Sequence, residues 1–295
     1  MFDSIWFTLQ TQPILAVTVI AILSLLVGSF LNVVIYRLPV MMEREWQANV
    51  KDYQEALADG SVKEHDLNSR FSLSVPRSRC GKCGHAIGWY ENIPVISYLF
   101  LKGQCKGCKT PISLRYPAIE LLTCLVSAFT LWHFGFNWPG LAAVVLTWCL
   151  ISLIFIDIDH QLLPDSITLP LLWLGLLLNT QGLFTSLESA IWGAALGYLS
   201  LWSVYWAFKL ITGKEGMGYG DFKLLAALGA WCGATSLPLI ILLSSVVGVI
   251  FAVVMMLSKR LAKGNPIPFG PYLAIAGWIA LLYGEQIIQS YLGHF

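Results

Sequence analysis

Charge is what this sequence has least of. Asp, Glu, Lys and Arg make up 12% of its 295 residues and hydrophobic side chains 57%, a balance that excludes an ordinary water-soluble globular domain. The scarcity is also uneven. No Lys or Arg occurs in the first ten residues, so the basic region of a cleavable signal peptide is missing and the first apolar run is expected to stay in the chain. None occurs outside three stretches, 37–115, 209–223 and 259–263. There is no HExxH, which removes the common zinc-protease helix, and no strand leading through GxGxxG into a helix, which removes the soluble Rossmann-type cofactor fold. Internal repeats and low-complexity tracts are absent. Nothing points to a nucleic-acid partner, and a net charge of +1 carries no information alone.

What remains is apolar. A helix needs about 20 apolar residues to cross a bilayer, and eight segments are candidates: 14–36, 119–136, 141–156, 167–183, 189–211, 222–232, 238–257 and 269–288. Several are short. Basic loops stay in the cytoplasm, so the three Lys/Arg stretches and the 157–165 loop are expected there, with both ends of the chain and the 134–140 and 180–188 loops outside. The fold class expected is an all-α polytopic membrane protein with about eight transmembrane helices and a small zinc-bound cytoplasmic domain inserted after helix 1. Its parts are a first helix at 1–36, the zinc domain at 37–115 and a membrane domain at 116–295. Within the insertion, 43–66 is charged and helix-compatible, and reads as a surface helix or hairpin. Residues 76–111 carry Gly, Pro and Cys with little periodicity, as in a domain ordered by a metal.

Four of the seven cysteines form two CxxC pairs, Cys80 with Cys83 and Cys105 with Cys108, separated by 21 residues. In a reducing cytoplasm this pattern points to a four-thiolate zinc site before a disulfide or a redox dithiol. Such a closed site has no position for substrate, so its role is structural. Cys124, Cys149 and Cys232 are scattered among apolar runs and read as packing residues.

Few acids lie near the membrane runs, and each has a bland reading. Glu120 follows Arg115-Tyr116-Pro117 and suits a helix start. Glu188 and Glu285 fall at outer ends, and Asp165 after Pro164 suits an N-cap. Asp159 and His160 read as a solvated loop. Asp157 and Asp221 stand out because both map to the cytoplasmic mouth although 64 residues apart. The run after Asp221 is too short to span alone, so "GYGD" is expected inside the membrane zone, where irregular backbone survives only beside protein or a polar cavity. Two carboxylates sharing a site activate water as in aspartic proteases, one ionised and one protonated. Helix ends assign Asp221 as the base and Asp157 as the acid. The alternative for Asp221 is an ordinary helix cap.

These residues resemble the prepilin leader peptidases, bifunctional peptidases and N-methyltransferases of type IV pilus and type II secretion systems. Gly218-Tyr219-Gly220-Asp221 is similar to the GxGD signature of that protease class, and Asp157 in "FIDIDHQLLPD" to its other catalytic aspartate. "GSFLNVVIYRLP" at 28–39, "ENIPVISYL" at 91–99, "RYPAIELL" at 115–122 and "PFGPYLA" at 268–274 resemble further family blocks. The resemblance implies cleavage of a basic leader from prepilins and pseudopilins at the cytoplasmic face of the inner membrane, after glycine and usually before phenylalanine. It also implies methylation of the new amine with S-adenosylmethionine. Glu43, Glu45 and Asp159 are conceivable readers of leader charge. Gly218 and Gly220 would let an extended substrate backbone approach, and Pro268, Gly270 and Pro271 would line the same cavity or form a plain helix junction. Since the family associates methylation with the cytoplasmic domain, Glu91 and Asn92 are candidates for the methyl-donor site, with a helix cap as the alternative for Glu91.

An ion-coupled transporter also places acids near broken helices, but it predicts inverted repeats and a polar path outward, and neither is visible. A membrane thiol oxidoreductase would carry its cysteines on the oxidising side.

Overall fold

The structure is a computed structural model and describes residues 2–59, 71–258 and 267–292, the side chains of 2 and 52–59 excepted. The end of the charged segment expected to be helical, 60–66, and the basic cluster at 259–263 lie outside the described residues. The elements are α1 (Phe2–Thr11), α2 (Pro13–Asp59), α3 (Ile96–Phe100), α4 (Arg115–Phe134), α5 (Trp138–His160), α6 (Asp165–Asn179), α7 (Leu187–Thr212), α8 (Tyr219–Cys232), α9 (Leu237–Leu257) and α10 (Gly270–Leu292). Single 3-10 turns occur at Trp89–Asn92 and Ala234–Ser236. Among the described residues extended pairing is limited to two isolated bridges, Arg79 with Ala86 and Gln104 with Pro111.

All eight apolar segments are helical, but among the described residues six helices, α2, α4, α5, α7, α9 and α10, are long and apolar enough to cross a membrane. The other two are α6 with 15 residues and α8 with 14. At 1.5 Å per residue they rise only about 22 and 21 Å, short of a hydrocarbon core of about 30 Å. The first span also differs from expectation. It does not stop near residue 36 before a separate surface helix, but runs as one helix of 47 residues. Nothing after Tyr36 breaks it except Pro39, which costs a single backbone bond that a long helix tolerates.

The chain forms two compact units, Ile20–Leu125, and Met1–Val19 with Val126–Phe295. In the first, α2 and α4 pack closely: a Cβ on Gly28 would lie 2.9 Å from the Glu120 Cα. Asn32 Nδ2 donates to the Tyr116 carbonyl across the same contact.

The second unit is built around α8, which touches α6, α7, α9 and α10. From Phe222 to Trp231 every residue but Lys223 is buried. Enclosure on all sides needs very close helix approach, and small residues supply it. A Cβ on Gly193 of α7 would collide with the Gly229 carbonyl, and one on Gly229 with the Gly193 carbonyl. Gly197 faces the Leu225 carbonyl in the same way at 2.7 Å. On the α6 side the polar groups are all matched. Trp231 Nε1 donates to the Leu171 carbonyl at 2.8 Å, and Asn179 donates to Ala230 O at 2.8 Å while its own oxygen accepts from Phe184 and Thr185 N–H. Elsewhere Trp278 Nε1 lies 3.2 Å from both the Thr130 and Thr147 hydroxyls, so this half-buried indole is not left unpaired.

A side chain at the α7–α8 contact has only backbone to push against. Gly229→Val is therefore expected to destabilise the protein by at least about 1–3 kcal/mol, read as a fall of several degrees in thermal unfolding in detergent. An unchanged midpoint would refute the close contact.

A buried aspartate pair and a four-cysteine cluster

Asp157 lies in the last turn of α5 and Asp221 in the first turn of α8, 5% and 8% exposed in an otherwise apolar unit. Three chain junctions make the site. Gly270, the first residue of α10, donates its N–H to Asp157 Oδ2 at 3.0 Å. Leu163, in the turn between α5 and α6, fills the space between the two aspartate-bearing segments. A Cβ on Gly220 would lie 2.8 Å from the Leu163 Cβ, and one on Gly270 would lie 3.1 Å from Leu163 Cδ2 and 2.7 Å from Asp157 Oδ2. Asp157, Gly270, Leu163, Gly220 and Asp221 therefore form one contiguous cluster.

Each glycine can now be read separately. Gly220 and Gly270 are required by Leu163 and Asp157, whereas a Cβ on Gly218 would meet nothing closer than Asp221 Oδ2 at 4.0 Å. Pro271 is buried and Pro268 half-buried at the start of α10. Since Asp157 also accepts an N–H from the start of α10, the end-of-helix argument no longer decides which aspartate carries the proton. Asp159 and His160 are exposed. Asp165 is not an N-cap: Pro164 holds that position, and both Asp165 oxygens lie 2.7 Å from Lys223 Nζ, tying α6 to α8. The start of α8 is braced by aromatic rings, Tyr219 lying 5.2 Å from Tyr205 and 5.4 Å from Phe222.

Leu163 was missed by sequence reasoning. A leucine before a proline carries no chemical signal, and only the fold shows that it meets both glycines.

The four cysteines of the other unit converge. Their Sγ atoms all lie within 4.8 Å of one another, with Cys80 and Cys108 at 3.8 Å and Cys83 and Cys105 at 4.0 Å. Thiolates about 2.3 Å from a tetrahedral zinc stand about 3.8 Å apart, so the cluster fits such an ion. The two loops repeat one hydrogen-bond plan. Cys80 N–H donates to His85 O and Gly84 N–H to Cys80 O; Cys105 N–H donates to Thr110 O and Lys109 N–H to Cys105 O. The fourth step is left-handed in both, φ 71° at Gly84 and 58° at Lys109. The Thr110 hydroxyl and N–H beside Cys108 lower that thiol to about 6, whereas at Cys83 the His85 N–H is outweighed by the Cys108 sulfur and by burial, which push it up to about 11, so the four sulfurs act on one another as a single group.

Glu91 ties the two loops together. Its carboxylate is 5% exposed and takes the Gly88 N–H at 3.1 Å, His85 Nε2 at 3.1 Å and, on Oε1, Lys106 Nζ at 3.5 Å. Burial pushes this carboxyl up, but the Gly88 N–H, His85 and Lys106 outweigh it and hold it below the usual range. Oε1 is the one buried side-chain polar atom without a hydrogen bond among the described residues. Asn92 beside it is exposed. Glu120 accepts the Val95 N–H at 2.8 Å, so its role reaches beyond its own helix start.

Removing the carboxylate that joins the loops is expected to loosen the cluster. Glu91→Ala should hand its metal to a colorimetric chelator at least tenfold faster than wild type, with Glu91→Gln intermediate; equal rates would show that the loops hold without it.

Comparison with known proteins adds a consistent set of likenesses. The profile described as Bacterial Peptidase A24 N-terminal domain matches residues 22–134, and that of the Type IV leader peptidase family matches residues 144–253. The chain is 57% identical over 284 residues to a prepilin leader peptidase/N-methyltransferase of Stutzerimonas stutzeri, covering 96% of each. It is 56% identical over 284 residues to a protein so named in Pseudomonas aeruginosa, again 96% of each. With one from Neisseria gonorrhoeae it shares 50% over 276 residues, 93% of each. No solved structure matches the chain significantly.

Proposed function

The chain belongs to the type IV leader peptidase family, and from that premise we propose how its own residues carry out the two reactions named in its relatives. It is a peptidase that removes the leader of prepilins and a methyltransferase that methylates the product. The observation that carries the peptidase reading is the pair of buried carboxylates, Asp157 and Asp221, set in one cluster at three chain junctions.

In the proposed mechanism the pair shares one proton. The ionised aspartate takes a proton from water as it attacks the scissile carbonyl carbon; the protonated one donates to the carbonyl oxygen, and the proton then passes to the leaving amine. The Gly270 N–H holds Asp157 in position without taking part. The extended substrate passes over Gly218, whose missing side chain leaves that approach open. Pro268, Gly270 and Pro271 complete the cavity, and α6 and α8, though shorter than a full hydrocarbon core, each carry the chain across it within the bundle and complete an eight-helix membrane domain. Pseudopilins of type II secretion are proposed as further substrates. The enzyme is placed in the inner membrane with this site toward the cytoplasm, on the argument that every Lys and Arg falls in three loops on one side.

Zinc is the proposed metal of Cys80, Cys83, Cys105 and Cys108, in a structural role, since four thiolates leave no open position. S-adenosylmethionine is the proposed methyl donor, supplying an electrophilic methyl group when bound. Glu91 and Asn92 are proposed to line its site, Asn92 from an exposed position and Glu91 through Oε1. The transporter alternative draws no support from any relative.

With a prepilin and S-adenosylmethionine, Asp157→Asn and Asp221→Asn should each lose leader removal by about 10²–10⁴-fold or more, while a precleaved pilin still gains the mass of one methyl group. Normal cleavage by either variant would end the dyad assignment. Wild-type cleavage should trace a bell in pH, since one carboxylate must be charged and the other neutral; a flat profile would contradict proton sharing.

A further inference from the structure

Within the unit Ile20–Leu125, α3 is oriented against the usual rule. Its apolar residues Ile96, Leu99 and Phe100 fall at helical spacing on one face, and that face points out, with exposures of 52%, 67% and 83%. The inward contact is Tyr98, whose hydroxyl donates to the Ile112 carbonyl at 3.3 Å and whose ring fills the space beside Gly103. A small metal-ordered domain does not ordinarily leave a leucine and a phenylalanine uncovered side by side.

A second observation says what covers them. The residue opening α3, Val95, has φ 59° and gives its N–H to Glu120 Oε2 at 2.8 Å. A β-branched residue holds positive φ only when its surroundings enforce it. Glu120 lies five residues into the apolar helix α4, which begins at Arg115 and Tyr116, the residue types that mark a membrane boundary. Five residues rise about 7.5 Å, so the hydrogen bond holds the start of α3 at the depth of about 5–10 Å where interfacial helices lie. Leu121 and Leu122 at the same level of α4, and Leu125 about 7.5 Å further along it, are exposed as well. Lys102, exposed just past α3, sits where a lysine reaches lipid phosphate.

We propose that α3 is an interfacial anchor, with Leu99 and Phe100 inserted among the acyl chains of the leaflet that α4 enters at Arg115, Lys102 at the headgroups, and the Glu120–Val95 bond setting the depth. The metal-ordered loops are thereby fastened to the bilayer through α3 as well as through α2 and α4. The occupant is phospholipid, not the apolar stem of a pilin and not a second copy of the chain, because continuity with the lipid-facing side of α4 and the depth set by Glu120 both belong to a bilayer.

The test is photocrosslinking of the full-length protein in vesicles of phosphatidylethanolamine and phosphatidylglycerol. p-Benzoylphenylalanine replaces Phe100, or Lys82 on the exposed first cysteine loop, with or without added pilin, and products are read by intact mass. The expected result is an adduct of one phospholipid at position 100, several-fold more abundant than at position 82. Adding Glu120→Ala should cut that adduct several-fold, and Glu120→Gln, which keeps an acceptor for the Val95 N–H, should restore most of it. Equal lipid adduct at the two positions, or a dominant adduct with pilin or with a second copy, overturns the proposal. Should Glu120→Ala fail to fold, the comparison of positions 100 and 82 still decides it.

Discussion

The membrane unit depends on one constraint: a helix of 14 residues must bring a carboxylate into an apolar interior and be enclosed there. In the mechanism proposed above, enclosure is what makes the pair share one proton, since water would no longer screen a second negative charge from the first. It is possible because α8 meets α7 through bare backbone, Gly193 against Gly229 and Gly197 against Leu225, leaving no room for a shell of side chains between them. Backbone so close must have its polar groups satisfied within helices, and both partners are helical there. The opposite face uses specific hydrogen bonds, from Trp231 to Leu171 and from Asn179 to Ala230, so α8 has no freedom to slide along its neighbours.

That rigidity matters at the helix start. The cluster around Asp157 and Asp221 draws on the end of α5, the turn holding Leu163, the start of α8 and the start of α10, and each is fixed by something outside the cluster. Lys223 binds Asp165 across α8 and α6, and Tyr219 makes a tilted ring contact with Tyr205 and an edge-on one with Phe222. Carboxylates placed by helix ends that are themselves cross-tied are better held than carboxylates on a free loop, which is what the proposed catalytic role requires, since small misplacements are costly there.

Much of this was legible in the sequence. The apolar runs mark eight of the ten α-helices among the described residues, α1 and α3 being the two they do not, because hydrophobic length is a one-dimensional property that survives folding. Cys80, Cys83, Cys105 and Cys108 could be grouped from spacing alone, because a short loop between two thiols leaves few geometries. Asp157 and Asp221 could be paired because carboxylates are so rare in apolar sequence. What could not be read were contacts made by residues without chemistry of their own: Leu163 between two glycines, the Gly270 N–H on Asp157, and the Val95 N–H on Glu120. The misread start of α6 has a related cause. Asp165 has the composition of a cap, and only tertiary structure brings Lys223 to it. The continuous α2 was missed because the apolar run ends at Tyr36, and a helix need not stop where its hydrophobicity does; Pro39 removes a single bond in 47 residues and does not enforce a stop either.

The three glycines of "GMGYGD" separate once the packing is known. A Cβ on Gly216 would lie 2.8 Å from the Phe208 ring, and one on Gly220 would lie 2.8 Å from Leu163, so both are small because a neighbour occupies the space. Gly218 has no such neighbour. Its backbone, φ −83° and ψ 150°, is extended and open to any residue, so the turn does not require glycine there either. Neither conformation nor internal packing accounts for the missing side chain three residues before Asp221. On the proposed reading the bare backbone at that point serves the substrate, an extended peptide that enters beside the carboxylates where a Cβ on Gly218 would meet nothing closer than 4.0 Å.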